Sequence, residues 1–158
     1  MPTEFLERCD RIEECYEFLL AYAGQGLPTD QGSQAGGQVR AFLQRACAAM
    51  TGLAGSCAQA VQELEPQPMA KYRAFCAVLD RDAQDSLAAI ELVLAQSSIS
   101  SQLIDNLNAS SHVRALLTDL FLVGEILRTQ HKAASGMNRQ APLNLENLSS
   151  ANTPFGTK

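Results

Sequence analysis

A chain of 158 residues, 46% of them hydrophobic, has the size of one domain and enough apolar surface for a single core. The formal net charge of −5 offers no general attraction to nucleic acid. The most apolar run, LLTDLFLVGEIL at 116–127, is broken by Asp119 and Glu125, so no membrane span is expected either.

Aromatic residues make up only 6% and Trp is absent, while Ala, Leu and Gln are abundant. Such side chains lose little rotamer freedom in a helix, which points to an all-α protein. The opening MPTEFLERCDRIEE has neither a basic nor an apolar leader segment, so no secretory signal is expected. Five cysteines in such a chain are expected to be reduced thiols in the cytoplasm rather than a disulfide framework.

The first helix starts near Thr3, with Glu4 and Glu7 at the positive end of its dipole. Phe5, Cys9, Ile12, Tyr16, Leu19 and Ala23 recur at spacings of four and three and form one seam, which leaves Cys15 at its edge. Glu4 with Arg8 and Glu7 with Arg11 are i,i+4 pairs worth a few tenths of a kcal/mol. GQGLPTDQGSQAGG at 24–37 stops the helix and reads as a long flexible connection.

A second helix keeps the same alternation through Val39, Leu43, Ala46, Met50, Leu53, Cys57, Ala60 and Leu64. EPQP at 65–68 is a short turn, so the third helix runs back antiparallel. Its seam is Tyr72, Cys76, Leu79, Ala83, Leu87, Ile90 and Val93 or Leu94.

After QSSISSQ at 96–102 a fourth helix covers about 100–130, bent near NASSH at 108–112. Steps of ~100° gather Val113, Leu116, Leu117, Leu120, Val123 and Leu127 on one face. Leu122 and Ile126 fall near the other side, with Phe121 between, and need a cover. The expected architecture is an up-down antiparallel four-helix bundle over 1–131 with a flexible or extended tail over 132–158. In that tail Leu143, Leu145 and Leu148 alternate with polar residues and are candidates to cover helix four.

No catalytic template fits. Di-iron bundles need Glu-x-x-His pairs, but Ala109 precedes His112 by three residues and Arg128 precedes His131 by three. His112 reads as an exposed histidine rather than a phosphotransfer site, and His131 as a cation at the frayed end of helix four. Asp82 and Asp85 in DRDAQD read as a solvated helix face. In an antiparallel bundle Cys9, Cys57 and Cys76 fall near the same end and in one core layer. Three such thiols suit a soft metal such as Cu or Zn, although free Cys packs readily as a small hydrophobe.

The sequence therefore points to a non-enzymatic protein acting through protein–protein interaction, as an adaptor, small chaperone or regulatory subunit. Self-association as a homodimer through Phe121, Leu122 and Ile126, with Leu143 and Leu145, is the leading expectation. Two alternatives stand beside it. One is a metal- or redox-responsive bundle using Cys9, Cys57 and Cys76. The other is a small-ligand binder with a pocket near Ala46, Ala60 and Ala83.

Overall fold

The computed structural model describes residues 2–139. Over these residues the chain forms six α-helices and no strand: α1 (Pro2–Gly24), α2 (Gln34–Met50), α3 (Leu53–Leu64), α4 (Met69–Leu94), α5 (Ser101–Ala109) and α6 (Ser111–Arg139). The all-α expectation holds. Two of the four expected helices are each divided in two.

The second expected helix breaks at Thr51 and Gly52. Thr51 turns its own N–H and hydroxyl back onto the Cys47 carbonyl, at 3.0 and 2.9 Å. Gly52 then takes φ +78°, which a residue without a Cβ adopts at little cost. The carbonyls freed at the break are gathered by one side chain. Arg8 donates from Nη1 to the carbonyls of Ala48, Ala49 and Thr51 at 3.3, 3.2 and 2.8 Å while holding its ion pair with Glu4 at 3.1 Å. The fourth expected helix breaks at Ser110, inside the polar stretch where a bend is expected, and separates α5 from α6.

The core follows the predicted seams closely. Every residue of the second seam is buried except the half-buried Leu64, and the six apolar residues assigned to the core face of α6 are all buried. Helix α1 departs from the strict alternation. After Ile12 the buried stripe steps by three to Cys15, then to Leu19 and Tyr22, so Cys15 is a core residue rather than an edge residue. Tyr16 and Ala23 are only half-buried. Burying Tyr22 is possible because its hydroxyl donates to the Ile99 carbonyl at 2.6 Å. Helices α1 and α4 each pack against α2, α3, α5 and α6. Phe18 of α1 stacks on Phe42 of α2 at 4.0 Å between centroids, and Arg45 caps that ring at 4.5 Å.

The connection at 25–33 is held in place instead of hanging free. Asp30 accepts the Ile99 N–H at 2.8 Å and pairs with Arg40 at 2.7 Å. Arg40 continues to the Leu94 and Gln96 carbonyls at 3.1 and 2.8 Å, so one guanidinium joins this connection and α2 to the end of α4. Leu27 and Ser101 exchange two further bonds at 2.8 Å. The crossing is close at Gly36, where an added Cβ would run into the Asp30 carbonyl. Gly36→Ala is expected to cost about 1–3 kcal/mol, read as a lower urea midpoint; an unchanged midpoint would place that turn further from α2.

Helix α6 continues to Arg139, past the boundary expected at 131. His131 is thus inside a helix and half-buried, not at a frayed end. Leu143, Leu145 and Leu148 lie outside the described residues.

Candidate functional site

Helices α4 and α6 lie antiparallel, and the seam between them carries the features that core packing leaves unexplained. At one end Ser86 donates to the His112 carbonyl at 2.8 Å, and His112 Nδ1 stands 3.9 Å from Asp85 Oδ2. One turn further along α4, Asp82 faces Asp119 of α6. Beyond them Lys71, Tyr72 and Phe75 of α4 meet Leu122, Val123 and Ile126 of α6 around an apolar cavity of about 170 Å³.

The local sequence explains this face. Val123 and Leu127 are spent on the core, and Leu122 and Ile126, one position earlier in each case, flank it by ~100°. Phe121 is 57% exposed, Leu122 52% and Ile126 38%, a cluster rather than scattered single residues. Opposite them Tyr72 and Phe75 are half-buried, and their spacing of three puts both on one side of α4. The helical seam puts Tyr72 in the core and leaves Phe75 outside it. Their i,i+3 spacing is the signal that pairs them.

Asp119 is a second unexplained feature. It is only 7% exposed, and its Oδ2 has no hydrogen-bond donor within reach. Burial, then the hydrogen bond and charge of Asp82, push its carboxyl up to about 7. The Asp119 carboxyl therefore holds its proton up to about neutrality. Asp82 is therefore half-buried against a second acid, not on the solvated face expected from DRDAQD. The only sequence trace of this pair is that Asp119 interrupts an apolar run.

The cysteines divide by position. Cys57 and Cys76 bring their sulfurs to 3.2 Å across α3 and α4, and Cys9 is close enough for its charge to bear on Cys57. Among the described residues no group of three or more His, Cys, Asp and Glu side chains is arranged to hold a metal ion. Burial pushes the Cys9 and Cys15 thiols up to about 12, so both are inert packing groups at neutral pH. Cys47 is half-buried.

Ala46 and Ala60 are buried in the core, while Ala83 lines a cavity of about 240 Å³ beside the α2–α3 break. No helix among the described residues is long and apolar enough to cross a membrane. No protein-family model, no curated protein and no solved structure matches the chain.

Proposed function

We propose that this protein acts by protein–protein association and not by catalysis, through the α4–α6 face, with a second copy of the chain as its first partner. The observation that supports this most is the apolar surface that exposed Leu122 and Ile126 form with Tyr72 and Phe75, with exposed Phe121 next to Leu122 in the chain. Water contact there is unfavourable, and a two-fold partner presenting the same helix would remove it from both copies at once.

The helix arrangement suits such a role. With α2 and α3 taken as one rod and α5 and α6 as another, we read the six helices as four rods in up-down order, the fourth carrying the exposed residues of α6. A homodimeric adaptor, small chaperone or regulatory subunit acting in the cytoplasm is the concrete form of the proposal.

The test is direct because the residues concerned are exposed. Leu122→Glu with Ile126→Glu should leave the helical circular dichroism and the melting temperature nearly unchanged. The same variant should convert a dimer to a monomer in native mass spectrometry and light scattering. A wild-type protein that is monomeric at high micromolar concentration would remove the second copy from the proposal. A dimer that survives both substitutions would move the interface elsewhere.

A further inference from the structure

The Cys57 and Cys76 thiols meet within the core where α3 packs on α4, and the function proposed for the α4–α6 face does not use them. They sit on helices joined by the short turn at 65–68, with sulfurs 3.2 Å apart. A bond of about 2.05 Å needs the two sulfurs to close by about 1.2 Å. Their surroundings differ. Cys76 is 8% exposed and lines a cavity of about 260 Å³ between α3 and α4, together with Gln62, Met69 and Arg73. Cys57 is fully buried behind it. The pair thus has an outer thiol that a small oxidant can meet and an inner thiol that solvent cannot.

We propose that Cys57 and Cys76 form an oxidisable dithiol, a modification site at which a hydroperoxide is reduced and a disulfide ties α3 to α4. The Cys76 thiolate attacks one peroxide oxygen. The O–O bond breaks, and the other oxygen leaves with the electron pair and takes a proton as water or an alcohol. Cys76 is then a sulfenic acid. The Cys57 sulfur attacks the Cys76 sulfur, the S–S bond forms and the S–O bond breaks, and the departing hydroxide leaves as water with the Cys57 proton. Two thiols lose two electrons and two protons, and the peroxide gains both.

The electrostatics agree with this division of labour. With Cys57 as the donor, their shared contact holds the Cys76 thiol below its ordinary value, whereas the same contact and then burial push Cys57 upward. The thiolate therefore forms first at the outer sulfur, which is the nucleophile the first step needs. The remaining cysteines compete poorly. Cys9 and Cys15 are buried with raised pKa values, and burial also raises half-buried Cys47.

The experiment uses the full chain, reduced and desalted, treated with graded hydrogen peroxide. The expected product has lost two hydrogens by intact mass and joins the Cys57 and Cys76 peptides in a non-reducing digest, and dithiothreitol restores it. Closing a loop of about twenty residues should also raise the melting temperature by roughly 6–12 °C. Cys57→Ser should accumulate a Cys76 sulfenic acid that dimedone captures, and Cys76→Ser should leave Cys57 a free thiol. Retention of all five thiols in the treated wild type would overturn the proposal. So would a bond mapped to Cys15 and Cys47, or to Cys9 and Cys57. The wild-type map decides the matter even if a serine variant fails to fold.

Discussion

Asp30→Ala should lower the melting temperature by roughly 6–12 °C at pH 7, the largest loss expected from any single polar side chain here. Asp30 is half-buried with its side chain only 9% exposed, and its carboxylate accepts from Ile99 N and from Arg40 at 2.8 and 2.7 Å. Removing it leaves the Ile99 N–H without its acceptor and the Arg40 guanidinium without its counter-ion. Breaking a fully buried pair costs about 3 kcal/mol or more; Arg40 is partly solvated and keeps its two carbonyl bonds, which argues for the lower end.

The pH dependence follows from the same contacts. Burial alone would raise the Asp30 carboxyl, but the Ile99 N–H and then Arg40 outweigh it, so it lies below its ordinary 3.8. The folded state thus binds the proton less tightly than the unfolded state. The stabilisation is fully present above the unfolded value and is lost as pH falls through the lowered folded one. Wild type and Asp30→Ala should therefore differ by a constant amount near neutrality and converge in strong acid. Thermal melts by circular dichroism across that range measure this, and equal melting temperatures at pH 7 would show that the connection is not anchored at Asp30.

Asp119→Asn should act in the opposite direction and raise stability by about 1–3 kcal/mol at pH 8 and by less than half as much at pH 5. The Asp119 carboxyl is pushed from 3.8 up to about 7, first by burial and then by Asp82. Here the folded state binds the proton more tightly. Stabilisation from the protonated carboxyl is complete below the unfolded value and disappears as pH rises through about 7. An amide removes the charge at every pH and can donate to Asp82. The full conversion of the shift is larger than the range given, because half-exposed Asp82 lets water screen the pair. Urea midpoints for both proteins at pH 5 and pH 8 supply the test. A variant equally stabilised or destabilised at both pH values would show that Asp119 does not titrate in this window.

These two carboxylates show where sequence reading reaches and where it stops. Both are single acids in polar or mixed stretches, and nothing in PTDQG or LLTDLF distinguishes a pinned aspartate from a solvated one. Asp30 gains its role from Ile99 and Arg40, and Asp119 from Asp82, through contacts between distant parts of the chain. The same holds for Arg8, which the local pattern pairs with Glu4 and the fold turns onto the carbonyls of the α2–α3 break.

What the sequence by itself determined is the all-α class, most of the buried face of each helix, and the surplus of apolar residues at Phe121, Leu122 and Ile126. Those follow from spacing on a 3.6-residue period, which is local information. Only the tertiary structure decided that α1 buries Cys15 in place of Tyr16, that the connection at 25–33 is pinned, that Tyr72 and Phe75 complete the face of α6, and that Cys57 meets Cys76. The physical reason is common to all four. Periodicity fixes which side of a helix is apolar, but the register between two helices sets which side chains meet, and register depends on packing across the whole core.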